Sequence, residues 1–135
     1  MQSRLETLDH IGIAVRNLED AKKMFSDTLG LVLIREQELP ERGLKIAFLS
    51  AGSTTVELLE GIEPDSSVAK FVEQRGPGIH HLCFEVDGID RVMRELTDSG
   101  VRFVDATPRL GSEGKPIAFI HPKSTLGVLI ELIEK

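Results

Sequence analysis

Apolar and polar residues follow one another in short patterned runs, and the same order of runs occurs twice along the chain. Residues 10–34 begin with a histidine, alternate to a valine, and continue through an amphipathic stretch to a glycine and an apolar run; residues 81–104 do the same. Residues 46–60 and 117–134 form a second matching pair. A period of two predicts a strand and a spacing of three to four predicts a helix. The pattern therefore predicts, for each half of the chain, a strand, a helix and two or three further strands.

Both predicted helices have one apolar face. In the first half this face consists of Leu18, Ala21, Phe25 and Leu29. In the second half it consists of Ile89, Val92, Met93 and Leu96. Asn17 is expected at the N-cap of the first helix, and Gly100 lies where the second helix should end. Strands are predicted at 31–38, 44–50 and 53–60, with turn-forming Pro40, Gly43 and Gly52 between them.

The repeat predicts how the domain is organised. We expect one domain over residues 1–135, with module one at about 7–62, a connector at about 63–77 and module two at about 78–134. The connector should carry a short helix that starts near Asp65 or Ser66. The predicted fold class is α+β, with two tandem βαβββ modules paired as one open barrel. We expect a symmetric site between the two predicted sheets, because neither module buries a core well alone.

Composition and charge narrow the possible functions. The chain is 41% hydrophobic and 28% charged, as soluble globular proteins are. Its net charge of −6 argues against nucleic-acid binding, which needs a basic surface. A single cysteine excludes an internal disulfide and fits a reducing compartment. Neither a signal-peptide core nor a membrane span is evident, so we expect a cytoplasmic protein with no membrane partner.

Strand parity distinguishes the two adjacent histidines of the second half. Side chains alternate between the faces of a strand, so His10 shares a face with the small residues Gly12 and Ala14. In the second half His81 shares a face with Cys83, whereas His80 points the other way. His81 is therefore the counterpart of His10. We expect His80 to pack near the site and Cys83 to be a small buried hydrophobe.

Two glutamates occupy equivalent places inside apolar strand runs, Glu57 in TTVELLE and Glu131 in GVLIELIE. A buried carboxylate should be paired, protonated or bound to metal. Two imidazoles with one or two carboxylates suit Zn, Co, Fe, Mn or Ni. We therefore predict a divalent metal ion held by His10, His81 and Glu131. Glu57 is a further ligand in this hypothesis, or else an unligated base or a solvent-facing residue.

At these residues the chain resembles the vicinal-oxygen-chelate superfamily, which includes glyoxalase I and extradiol dioxygenases. The segments LDHIGIAV, VELLEG, GIHHLCFEVDGID, GSEGKPIAFIHPKS and GVLIELIE are most similar to those of the methylmalonyl-CoA epimerase family. The resemblance implies an epimerase of an acyl-CoA substrate, a divalent metal, often cobalt, and a homodimer. It places metal ligands at His10, His81 and Glu131, with Glu57 at the position of the further ligand.

One departure from the family bears on catalysis. Some members carry a second catalytic glutamate on the strand after the PERG-like turn, but that strand here reads GLKIAF, with Lys45 and Ile46. Epimerisation needs proton transfer on both faces of the substrate carbon, so we predict Glu57 and Glu131 as the two acid/base groups.

Residues 109–123 are locally basic in an acidic protein. Arg109, Lys115 and Lys123 are candidate contacts for substrate phosphates or carboxylates, and Lys70 is a more distant candidate. His121 is expected to cap a turn or to contact substrate. Three alternatives remain open at this point. They are a glyoxalase I-type lactoylglutathione lyase, an Fe(II) extradiol dioxygenase and a non-enzymatic drug-binding module.

Overall fold

Two compact units, each with four β-strands, make up the computed structural model, which describes residues 4–135. The N-terminal unit is His10–His80, and the C-terminal unit combines residues 4–9 with 81–135. Each unit runs from a strand through a helix to three further strands. The predicted α+β class with two βαβββ modules is therefore confirmed.

The first module begins with a strand and a helix that changes its winding. Its elements are β1 (Leu8–Ala14), α1 (Leu18–Lys22, continued as a π-helix over Lys23–Thr28), β2 (Val32–Leu39), β3 (Leu44–Ala51) and β4 (Thr54–Gly61). Strand β3 pairs antiparallel with both β2 and β4, and β4 pairs in parallel with β1. The helix α2 (Ser67–Arg75) follows, with the Ser66 side chain as its N-cap. The three predicted strands and the connector helix are confirmed to within two residues.

The second module repeats this order with shorter strands. Its elements are β5 (Gly78–Val86), α3 (Ile89–Asp98), β6 (Arg109–Leu110), β7 (Pro116–Ile120) and β8 (Ile130–Glu134). Strand β7 pairs antiparallel with β6 and β8, and β8 pairs in parallel with β5. Both modules therefore join their first and last strands in parallel and build the rest of the sheet from antiparallel neighbours.

The helix caps and the apolar helix faces agree with the sequence predictions, with one exception. Asn17 accepts a hydrogen bond from the Asp20 amide, and Gly100 follows α3 with a φ of +96°, as predicted. The sequence predicts Leu29 on the apolar, buried face of the first helix, but the residue is 62% exposed. The reason is the π-helical continuation, in which the Leu29 amide bonds to the Met24 carbonyl five residues back. The wider turn rotates later residues away from the buried face.

Apolar clusters cover the sheets where the helices pack. In the N-terminal unit Leu18 and Ala21 of α1 pack on one sheet face, and Val68 and Val72 of α2 belong to a cluster on the other. In the C-terminal unit all four residues of the predicted apolar face of α3 pack against strands β5, β7 and β8. None of the helices among the described residues combines the length and apolar character needed to cross a bilayer.

Candidate metal and active site

A buried imidazole and a buried carboxylate meet in the N-terminal unit. The parallel pairing of β1 and β4 sets Gly12 opposite Glu57, so His10 lies two residues before that point on the same face. The His10 Nδ1 atom is 3.1 Å from the Glu57 Oε2 atom. His10 is 5% exposed and Glu57 is 7% exposed. The small side chains of Gly12 and Ala14 continue this face, as strand parity predicts.

The C-terminal unit contains the same arrangement. Here the parallel pairing of β5 and β8 sets Cys83 opposite Glu131, and His81 lies two residues before Cys83. The His81 Nε2 atom is 3.2 Å from the Glu131 Oε1 atom, and both residues are 7% exposed. Each module thus places one imidazole–carboxylate pair at the same point of the same strand pairing.

The chemistry of these four side chains suits a divalent cation. Burying a carboxylate is unfavourable unless an opposite charge or hydrogen-bond donors compensate. His10, His81 and Glu131 are all buried and offer imidazole and carboxylate atoms of the kinds that bind metal ions. Imidazole and carboxylate groups are also among the side chains that serve as general acids and bases.

Phenylalanines border both carboxylates, a feature that the sequence predictions missed. Phe48 on β3 lies opposite Glu57 on β4, and Phe119 on β7 lies opposite Glu131 on β8. The Phe119 ring meets the His81 imidazole edge-on, with centroids 6.0 Å apart. The repeated tripeptide Ile-Ala-Phe, at 46–48 and 117–119, could have identified these apolar neighbours.

Arginines lie over both of these rings. The Arg35 guanidinium carbon is 3.8 Å from the Phe48 centroid, and the Arg109 carbon is 5.7 Å from the Phe119 centroid. Such stacking stabilises a cation while leaving guanidinium N–H groups available for other contacts.

A second glutamate follows each site glutamate by three residues, and the sequence predictions also missed these. Glu60 accepts a hydrogen bond from the Leu18 amide at the start of α1. Glu134 accepts hydrogen bonds from the Gly88 and Ile89 amides at the start of α3. The bond from Ile89 is the main reason that the pKa of Glu134 is lowered from its ordinary value. The repeated spacing Glu-x-x-Glu was the available signal.

The neighbouring candidates have the packing roles that were expected. His80 is half-buried and contacts the Phe71 ring edge-on at 5.0 Å. Cys83 is fully buried with Ile117 and Ile133. The His121 Nδ1 atom accepts a hydrogen bond from the Lys123 amide and caps a short 3₁₀ turn, Pro122–Thr125.

The basic candidates are exposed side chains. Lys70, Arg109, Lys115 and Lys123 all face solvent. Arg109 lies 3.5 Å from the Asp105 carboxylate. Ile46 lies on β3, the strand that follows the PERG-like turn. It is 3% exposed and packs with Phe48 and Leu59, so this position contributes only apolar packing.

Comparison with known proteins identifies the family. Residues 9–119 match the family model described as the glyoxalase/bleomycin resistance protein/dioxygenase superfamily. The ethylmalonyl-CoA/methylmalonyl-CoA epimerase of Cereibacter sphaeroides is 37% identical over 127 residues, which are 93% of this chain and 95% of that protein.

Solved structures give the same result. The Mycobacterium tuberculosis methylmalonyl-CoA epimerase superposes with a TM-score of 0.92 and 39% identity, over 99% of this chain and 91% of that one. A variant of the Streptomyces coelicolor methylmalonyl-CoA epimerase, in complex with 2-nitronate-propionyl-CoA, superposes with a TM-score of 0.90 and 34% identity. That match covers 97% of this chain and 98% of the other. The resemblance predicted from the sequence motifs is confirmed.

Proposed function

We propose that this chain, which belongs to the glyoxalase/bleomycin resistance protein/dioxygenase superfamily, is an isomerase that interconverts (2R)- and (2S)-methylmalonyl-CoA. One observation carries the proposal. Each module presents a buried histidine–glutamate pair at the same strand position, with contacts of 3.1 and 3.2 Å. Relatives that match nearly the whole chain are named as epimerases of this substrate.

We infer that one divalent metal ion per chain binds His10, His81 and Glu131, with Glu57 as a further ligand. The donor set fits such an ion, because two imidazoles and two carboxylates are buried on strand faces that are otherwise apolar. When bound, the ion would supply Lewis-acid stabilisation of the negative charge that develops on the substrate thioester. Zn, Co, Mn, Ni and Fe all accept these ligands, and the family resemblance favours cobalt.

The two glutamates then carry the protons. The substrate carbon between thioester and carboxylate loses its proton on one face and receives one on the other. A single base would return the proton to the face from which it came, so two groups are needed. The repeat supplies one carboxylate from each module, Glu57 and Glu131. The strand after the PERG turn cannot supply the second, because Ile46 stands there.

Exposed basic residues complete the proposal. We assign Arg109, Lys115, Lys123 and His121 to contacts with the anionic groups of the acyl-CoA. The Arg109 side chain forms an ion pair with Asp105 and stacks on the Phe119 ring. These contacts keep its guanidinium group near β7, the strand on which Phe119 lies opposite Glu131. We further propose a cytoplasmic homodimer that acts in propionate metabolism.

The alternatives receive less support. A glyoxalase I-type lyase or an Fe(II) extradiol dioxygenase could use the same ligand types, but the relatives that match at 34–39% identity over almost the whole chain are epimerases.

Exchange of the substrate proton tests the proposal. The protein is loaded with Co²⁺ and incubated with (2R)-methylmalonyl-CoA in D₂O, and the α-proton is followed by NMR. We expect deuterium incorporation together with formation of the (2S) epimer, and neither in the metal-free protein. Absence of exchange with every divalent metal named above would overturn the proposal. Parallel incubation with a glutathione hemithioacetal or a catechol assigns the activity to a rival reaction if those substrates are consumed instead.

A further inference from the structure

We propose that Glu60 and Glu134 are positioning residues that hold the imidazole and the carboxylate of each site pair in register. Each carboxylate ties the start of the helix after the first strand to the strand that carries the site glutamate. The role rests on the proposed function, because it acts through Glu57 and Glu131. Neither Glu60 nor Glu134 belongs to the proposed ligand or acid/base set.

In the N-terminal unit the tie closes the end of the parallel strand pair. The Leu18 amide donates to the Glu60 Oε1 atom at 2.7 Å. Just before it, the Val15 amide donates to the Leu59 carbonyl at 2.9 Å, which extends the pairing of β1 with β4. Glu60 and Glu57 are three residues apart on one strand, so their side chains lie on opposite faces. Glu57 can face the site while Glu60 faces the helix.

The C-terminal unit repeats the tie with both carboxylate oxygens. The Gly88 amide donates to the Glu134 Oε2 atom at 2.8 Å, and the Ile89 amide donates to Oε1 at 2.9 Å. The Lys135 amide also donates to the Val86 carbonyl at 2.9 Å, at the end of the β5–β8 pair. Glu134 therefore accepts hydrogen bonds from two consecutive amides at the helix start, whereas Glu60 accepts one.

The two contacts differ in their relation to the helix cap. The helix α1 already has a side-chain cap, since Asn17 accepts from the Asp20 amide. Glu60 adds a hydrogen bond from strand β4 to a helix start that already has its own cap. In α3 the N-cap is Gly88, which has no side chain, and Glu134 supplies the acceptor from a strand more than forty residues away.

Strand register explains why such a tie matters for the site. Parallel strands rise about 3.3 Å per residue, so a slip of two residues would keep every side chain on its face but move the carboxylate by about 6.6 Å. The observed register brings His10 to 3.1 Å from Glu57 and His81 to 3.2 Å from Glu131. Catalysis responds to displacements smaller than this, because misplacement by about 1 Å can reduce a rate about 100-fold.

Substitution of both glutamates tests the proposal, with the exposed Glu73 on α2 as a matched control for loss of one charge. The variants are Glu60→Ala, Glu60→Gln, Glu134→Ala, Glu134→Gln and Glu73→Ala in the full chain. Glutamine keeps one acceptor oxygen. It should therefore restore the single bond of Glu60 almost completely, but only one of the two bonds of Glu134.

Two measurements distinguish positioning from general stability. Co²⁺ affinity is measured by absorption titration well below the thermal unfolding midpoint of each variant, and kcat and KM come from the exchange assay. We expect the alanine variants to bind Co²⁺ about 10–100-fold more weakly and to lose a similar factor in kcat at unchanged KM. Glu60→Gln should behave like the unmodified protein, Glu134→Gln should be intermediate, and Glu73→Ala should show no change.

The opposing outcomes are equally specific. Co²⁺ affinity and kcat of both alanine variants equal to those of Glu73→Ala would overturn the proposal. So would Glu60→Gln being as impaired as Glu60→Ala, because charge rather than the hydrogen bond would then be responsible. If an alanine variant does not fold, the order of the two glutamine variants decides the question. Failure of the unmodified protein to exchange the α-proton would reject the proposed function, while the Co²⁺ affinities would still decide the positioning role.

Discussion

The two modules differ in outline but agree in the strand pair that carries the candidate site. In the first, α1 continues as a π-helix and β2 has eight residues; in the second, α3 is regular and β6 has two residues. Yet Gly12 lies opposite Glu57 as Cys83 lies opposite Glu131, and both pairs keep their imidazole contact. The modules therefore share the parallel strand pair that places one carboxylate beside one imidazole, whereas the remaining elements differ between them.

The largest expected effect comes from removing either site carboxylate. Glu131→Gln and Glu57→Gln keep the side-chain volume but remove the carboxylates proposed to transfer the protons, so each should lower the exchange rate by about 10²–10⁴-fold. The rate is measured by NMR in D₂O, with Glu73→Gln as an exposed control. Full activity of Glu57→Gln would show that the modules do not contribute equally and would remove Glu57 from the acid/base pair.

Equivalent core positions test whether both modules depend on their packing to the same extent. Leu58 and Leu132 occupy matching places on β4 and β8, and both are fully buried. Replacing either by alanine should lower the free energy of unfolding by about 2–5 kcal/mol, because a cavity remains. Chemical denaturation measures the change. Leu126→Ala is the control, since Leu126 is 97% exposed and should change stability by less than about 0.5 kcal/mol. A small effect at one of the two buried positions would show that its module tolerates loose packing.

Acid sensitivity should depend on Glu134. Its pKa is lowered in the folded protein, chiefly by the Ile89 amide. A lowered pKa contributes stability at pH values above the unfolded pKa of about 4.3, and this contribution is lost as the pH falls through the folded pKa. Glu134→Gln should therefore be less stable than the unmodified protein near neutral pH, with a difference that shrinks below about pH 4. Denaturation midpoints across this range measure the difference, and a constant difference would contradict the account.

The smallest expected effect concerns the turn that precedes the last strand of each module. Gly52 and Leu126 each lie five residues before the site glutamate of their module, and they have φ values of +70° and +60°. Since a left-handed conformation is unfavourable for a residue with a side chain, Leu126→Gly should stabilise the protein by up to about 1 kcal/mol. Gly52→Ala should destabilise it by a similar amount for conformational reasons alone, because a Cβ there would meet nothing within 4 Å. Thermal unfolding measures both changes in stability. A change of the same sign in the two variants would contradict this expectation.

Much of this arrangement was predictable because repetition and periodicity are local properties of the sequence. The alternation around His10 and His81 predicted the strands and their faces. The cap at Asn17 followed from residue type, and the start of the connector helix near Asp65 or Ser66 was predicted as well. The π-helical continuation was not predictable, since the spacing from Leu18 to Leu29 fits an ordinary α-helix. Its bonds are decided by how the chain packs.

The candidate site was predicted unevenly for a similar reason. His10, His81, Glu57 and Glu131 could be proposed because their types are unusual within apolar strands. Glu60 and Glu134 were missed because a glutamate near a strand end is ordinarily solvated. Only the folded chain places each of them against helix amides far away in sequence.

Titration of the metal-free protein with Co²⁺ tests most directly the claim that both modules contribute to a single metal site. We expect one equivalent per chain, loss of tight binding in His10→Ala and in His81→Ala, and retention of binding in His80→Ala. Two equivalents per chain, or unchanged affinity in His81→Ala, would contradict it.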